Sequence, residues 1–164
     1  MVEKFNQELP KLILGGMGAY ISNAKLVNAA VSAGEKLERP VLGVVAGTGL
    51  APIMVRRLQD GDPDIKRALD AFCVPEIAEE IYNEYHQHQP KHKYKLAPKP
   101  EVLINGSEEK KAELAKLLVA ASFVEVWLAK QGHNGLVGYN VLEKIQLPHL
   151  WELYGAILGG ADYV

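Results

Sequence analysis

Apolar residues fall along this chain in two rhythms. Leu12-Ile13-Leu14 and Pro40-Val41-Leu42-Gly43-Val44-Val45-Ala46-Gly47 are short unbroken runs, each closing on glycine. Such runs read as buried strands, and continuous rather than alternating apolarity is what a parallel strand shows when both faces are covered. Between them Leu26, Val27, Ala30 and Val31 recur at helical spacing. Ser22 or Asn23 stands ready to cap that helix and Gly34 to end it. Strand, helix and strand at this spacing predict a right-handed βαβ unit.

The rhythm then turns helical. Residues 52–58 and 65–72 read as helices around the turn Asp60-Gly61-Asp62-Pro63, and 76–85 carries the stripe Ile77, Ile81, Tyr85. Residues 86–100, with His86, His88, His92, four lysines and several prolines, read as an exposed linker. Together they make a helical insertion and linker at about 51–106. Ser107-Glu108-Glu109 opens a further helix with acids in its first turn, where the helix dipole favours them. Phe123 to Leu128 favours a strand by propensity, but the better reading continues the helix to Lys130. Leu136 to Ile145 predicts a third strand and Pro148 to Leu158 a helix. Ala161-Asp162-Tyr163-Val164 looks like the start of a fourth strand. The expected fold class is α/β: a parallel β-sheet with helices, an incomplete (β/α)8 TIM barrel carrying a helical insertion. Residues 1–164 would be the N-terminal part of one barrel domain.

Composition narrows the function classes. Of 164 residues 48% are hydrophobic and 23% charged, a globular mix. Eighteen Lys and Arg against twenty Asp and Glu leave a net charge of −2, which offers no global field for nucleic acid. The single Cys73 excludes an internal disulfide and reads as a core residue beside Phe72. No apolar run approaches the ~18 residues of a spanning helix, and the polar, acidic start is unlike a signal peptide. These features predict a soluble, cytoplasmic protein that acts on a small molecule, without nucleic-acid or membrane partners.

Candidate chemistry concentrates where strands end. Gly15-Gly16-Met17-Gly18-Ala19-Tyr20 joins the first strand to the first helix, and parallel α/β folds bind ligands at the carboxyl ends of strands. Its glycines either let backbone N–H groups approach a flat or anionic ligand or simply make a tight turn. A dinucleotide fingerprint is disfavoured, because Ile21 occupies the third glycine position and Ala46-Gly47-Thr48 replaces the ribose-binding acid. Asn140, in Val137-Gly138-Tyr139-Asn140, sets an amide within an apolar run. It suits either the mixed edge of a heterocycle or a local turn. The linker histidines lack an acid or thiolate to complete a zinc set, so no metal site is expected. His133, between glycines and an asparagine, is the most tempting base, yet its setting reads as a helix-ending loop. No Ser-His-Asp order, phosphate-binding glycine-lysine loop or paired-carboxylate motif is present.

Taken with Arg56-Arg57-Leu58-Gln59-Asp60-Gly61-Asp62-Pro63, Phe123-Val124-Glu125-Val126-Trp127-Leu128-Ala129-Lys130 and Gly138 through Pro148, these segments make the chain resemble the nitronate monooxygenase (2-nitropropane dioxygenase) family of flavin-dependent barrels. The resemblance covers essentially the whole chain. It implies an FMN enzyme that oxidises alkyl nitronates with oxygen to a carbonyl compound and nitrite; related barrels work as enoyl reductases. By position, Gly16, Met17 and Gly18 would lie along the flavin ring, Asn140 would hydrogen-bond it, and Ala46 and Gly47 would line the second strand's mouth. The family's phosphate loops and catalytic Gly-His motif belong to later strands, so the resemblance assigns no catalytic base. The other reading is a non-catalytic half-barrel, whose open sheet edge would self-associate or pair with a missing C-terminal half.

Overall fold

In the computed structural model, which describes residues 10–86 and 94–164, the sheet is built from β1 (Leu12–Leu14), β2 (Val41–Ala46) and β3 (Val137–Asn140). All neighbours are parallel and the order is β1-β2-β3. A further parallel bridge joins Gly138 to Tyr163, so the fourth segment lies beyond β3 and the strands follow chain order. A doubly wound dinucleotide fold places its fourth strand beside the first; here it stands beside the third. Asp162 fastens that segment: its carboxylate accepts the Val137 N–H at 2.9 Å and meets the Lys130 ammonium at 2.6 Å. The architecture is α/β, with a parallel sheet and seven helices among the described residues.

The helices are α1 (Ala24–Lys36), α2 (Leu50–Gln59), α3 (Pro63–Asp70), α4 (Pro75–Tyr85), α5 (Val102–Asn105), α6 (Glu108–Ala129) and α7 (His149–Leu158). Several start where side-chain chemistry dictates. Asn23, rather than Ser22, caps α1 by accepting the Leu26 N–H, and Asp62 caps α3 ahead of Pro63 by accepting from Asp64. α1 runs through Gly34 to Lys36, since Gly34 packs against Val41 and has no turn to make there.

α6 organises the rest. From Leu117 to Ala129 it is apolar on nearly every side, as a helix packed all round must be. α1, α2, α3, α4, α5 and α7 all touch it. The strand propensity of 123–128 is overridden by this packing, and the expected helix is found. α7 crosses α6 closely because Gly155 is bare: a Cβ there would sit 2.1 Å from the Val119 carbonyl oxygen.

Helices cover one face of the sheet. Gly43 lies against Val27 and Val31 of α1, and Val45, Val137 and Tyr139 share that buried face. On the other face Leu42 and Val44 close over bare Gly138, while Ile13 is 66% exposed. Among the described residues, then, the unbroken apolarity of β1 and β2 does not mark strands covered by helices on both sides.

Three further expectations are corrected. β3 ends at Asn140 rather than Ile145, because Val141 onward turns and the Leu142 carbonyl accepts from Ile145. Cys73 is exposed rather than core, because α3 stops at Asp70 and the helical face does not continue to it. The supposed linker is partly packed. Gln59 brackets Lys95 through two hydrogen bonds, at 2.9 and 2.8 Å, and Arg56 lies 3.3 Å over the Tyr94 ring. His88 and His92 lie outside the described residues. His86 stacks on Tyr82. Among the described residues no helix is long and apolar enough to cross a membrane, and no cluster of metal-ligating side chains occurs.

Candidate functional site

The glycine turn after β1 is shaped by its own backbone and by one serine. Ser22 donates to the Gly15 carbonyl at 2.7 Å and accepts the Met17 N–H at 2.9 Å. Its own N–H donates to the Met17 carbonyl. Ala19 and Tyr20 then take left-handed backbone angles, with φ of 52° and 60°, a strained choice for residues with side chains. The strain is held by tertiary contacts, since the Tyr20 hydroxyl accepts from Arg57 at 2.6 Å and faces Glu125 at 3.3 Å.

Hydrogen bonds lace the three strand ends together. The Ala46 N–H donates to the Ser22 carbonyl, tying β2 to the turn, and the Gly47 N–H donates to the Asn140 carbonyl, tying β2 to β3. The Asn140 amide then spans back to donate to the Gly16 carbonyl at 2.8 Å, across 124 positions of sequence. Asn140 is thus the exposed last residue of its strand rather than an amide buried inside an apolar run. Its Oδ1 and second N–H remain available to a ligand.

Glycine is needed at only some of these positions. A Cβ on Gly16 would stand 2.5 Å from the Asn140 Cβ, and one on Gly47 would stand 2.6 Å from the Tyr139 ring. Gly15 and Gly18 face open space. So Gly16, Met17, Gly18, Ala46, Gly47 and Asn140 come to one end of the sheet, with Met17 43% exposed beside the turn. They make a shallow shelf. The principal cavities are lined by other residues, and none of the six carries a charge that would hold a phosphate.

Beneath the turn lies a partly buried ionic cluster around the buried Glu125. Arg57 meets Asp62 at 2.9 Å and Glu125 at 3.3 Å, while the other Glu125 oxygen accepts the Ala24 N–H at 2.5 Å, at the start of α1. Burial pushes the Glu125 carboxyl up, against the opposing pull of the Ala24 N–H and Arg57. Burial opposes Arg57's charge, yet Tyr20, Asp62 and Glu125 keep it firmly protonated. Sequence inspection passes over this cluster, although an acid inside the apolar run 117–129 was a legible signal that it needed a partner.

A second buried acid, Glu152 in the first turn of α7, is pushed up to about 7 by burial, with His149 the one group favouring its charge. It lines a cavity close to the ends of β2 and β3. His133 lies elsewhere. It precedes β3, at the opposite end of the sheet, where Nε2 pairs with the Ala129 carbonyl and Nδ1 accepts the Gly135 N–H, closing the loop after α6. The helix-ending reading of His133 holds.

Comparison with protein-family models, with curated proteins and with solved structures gives no match.

Proposed function

We propose that the shelf is part of a ring-binding site for FMN, in an oxidoreductase resembling nitronate monooxygenase that converts alkyl nitronates and oxygen to carbonyl compounds and nitrite. On this reading the chain contributes the N-terminal strands of a (β/α)8 barrel. The observation that carries it is the Asn140–Gly16 hydrogen bond, which sets an amide with spare bonding capacity against a bare backbone turn at the carboxyl ends of parallel strands. The chain-order sheet adds support, since a barrel adds strands in sequence without reversal.

The residues present fit the ring of the cofactor and not its phosphate. Gly15 and Gly18 leave room for a flat group, Asn140 offers a donor and an acceptor to a heterocycle edge, and Met17 adds an apolar wall. FMN, when bound, would supply the redox chemistry. The chain's own part would be to orient the ring and to keep the turn rigid through Ser22 and Tyr20.

Titration of the chain with FMN, followed by flavin fluorescence, tests this, together with the longer product if the coding region reads on past Val164. Asn140→Ala should weaken binding about tenfold, the loss of one or two hydrogen bonds. Nitrite release and oxygen uptake with an alkyl nitronate, against turnover of an enoyl substrate, separate the two flavin activities. Absence of flavin binding in either form would sink the reading.

The exposed Ile13 and Leu12 favour a second reading, a non-catalytic half-barrel completed by another copy or a separate strand set. A well-behaved monomer on size-exclusion chromatography, binding no partner, would contradict it.

A further inference from the structure

We propose that the cavity between α2, α6 and α7 is a binding site for a short aliphatic amine, whose ammonium group pairs with Glu152. The proposal does not rest on the flavin reading. The cavity has a volume of about 290 Å³, near the small end of pockets that take small molecules. Its walls are apolar, including Leu50 from α2, Leu114 and Leu118 from α6, and Leu142 and Ile145 after β3.

Into this lining Glu152 brings a carboxyl that is 7% exposed. Among the described residues it has no hydrogen-bond partner. That sets it apart from the other buried polar side chains, Ser22, Gln59, Ser122 and Glu125, each of which is bonded. Its oxygens are not sealed from solvent, but so sheltered a carboxylate is poorly hydrated, and a cation entering the cavity offsets that cost.

The charged and titratable groups facing Glu152 leave the role of counter-ion open. On α7, His149 donates to the Leu142 carbonyl at 2.9 Å and favours the Glu152 charge through space, without a hydrogen bond to it. On β3, the Tyr139 hydroxyl is held by Ser122 at 2.8 Å, and its ionisation is pushed up by burial and by Glu152. From the 97–100 segment comes Lys99, an exposed lining residue. The residues of α2 and α6 that line the cavity are uncharged. An organic anion would meet the carboxylate as a like charge. A neutral alcohol would satisfy the protonated acid but gain nothing as the acid ionises. A primary ammonium on an apolar chain matches both the wall and the acid.

Calorimetric titration of the whole chain with hexylamine, hexanol and hexanoate tests the proposal. Hexylamine should bind best at pH 8, and its affinity should fall about tenfold by pH 6 as Glu152 takes up its proton. Hexanol should show no such dependence. Glu152→Gln should abolish the amine's advantage and its pH response while leaving hexanol binding unchanged. A measurement on the unaltered chain guards against a misfolded variant: saturating hexylamine should lower the Glu152 carboxyl titration midpoint followed by NMR. Equal binding of amine and alcohol, preference for hexanoate, no binding of any of the three, or a pH response that survives in the variant would each overturn the proposal.

Discussion

Among the described residues two glutamates are buried, and their surroundings are opposite. Glu125 on α6 stands beneath the glycine turn with a backbone N–H, a guanidinium and a phenol around it. Glu152 on α7 faces an apolar cavity and has no hydrogen-bond partner among the described residues. Burial raises both acids; Ala24, Arg57 and Tyr20 pull Glu125 back, whereas Glu152 has only the nearby His149. The difference separates two uses of a buried charge. Fully partnered, it ties elements together; left alone, it is a cost the fold carries, and such costs gather at sites that do something. Glu125 joins the start of α1, the side of α2 and the C-terminal part of α6. Through Tyr20 it also holds the strained residues that follow the glycines.

Removing the partnered acid should have the largest effect. Glu125→Ala leaves the Ala24 N–H without its acceptor and strips Arg57 of one of its two carboxylates. Breaking a buried pair costs about 3–5 kcal/mol, and Asp62 still partners Arg57, so the loss should lie near the lower figure. Urea denaturation measures it. A loss below about 1 kcal/mol would place the cluster with surface ion pairs and dissolve the contrast with Glu152.

The unpartnered acid should behave in the opposite sense. In the unfolded chain Glu152 ionises near 4.5, and in the folded protein near 7. Between those values the native state keeps a proton that the unfolded state has lost, so stability falls as pH rises through the window and levels off above it. The size is about 3 kcal/mol, from roughly 1.4 kcal/mol for each pH unit of displacement. Glu152→Gln, which cannot ionise, should therefore match the parent near pH 4 and exceed it by up to about 3 kcal/mol at pH 8. Thermal melts of both proteins across that range check it. Equal stability at pH 8 would mean the carboxyl already has a partner.

The βαβ unit was legible in the sequence because every level agreed there: apolar runs, a capping Asn23, and glycine where the chain turns. The meeting of Gly16 with Asn140 was legible only through the resemblance, since a contact across 124 residues leaves no local trace. Other features were hidden for particular reasons. Cys73 extends a helical face past the point where α3 stops, and periodicity does not mark a helix end that lacks a Gly or Pro signal. Residues 94–100 are as polar as a linker, but Gln59 supplies backbone partners that no composition count reveals. Glu152 looked like an ordinary first-turn acid on α7; only the close crossing allowed by Gly155 brings that turn against α6.

Tyr20 gives the smallest and most discriminating test. Tyr20→Phe keeps the ring and removes only the hydroxyl that accepts from Arg57 at 2.6 Å and approaches Glu125 at 3.3 Å. A hydrogen bond to a charged group contributes about 1.5–3 kcal/mol, but Arg57 keeps Asp62 and Glu125, so a loss of about 1 kcal/mol is expected. Amide hydrogen exchange at Met17 and Ser22 should quicken, because the strained turn loses an anchor. Glu152 shares no hydrogen-bond partner with this cluster, so the Tyr20→Phe, Glu152→Gln double variant should be additive within about 0.5 kcal/mol. Tyr139 is the residue that feels both acids. A larger coupling energy, abolished by Ser122→Ala, would show that the two glutamates communicate through the Tyr139 hydroxyl, and that the shelf and the cavity belong to one site.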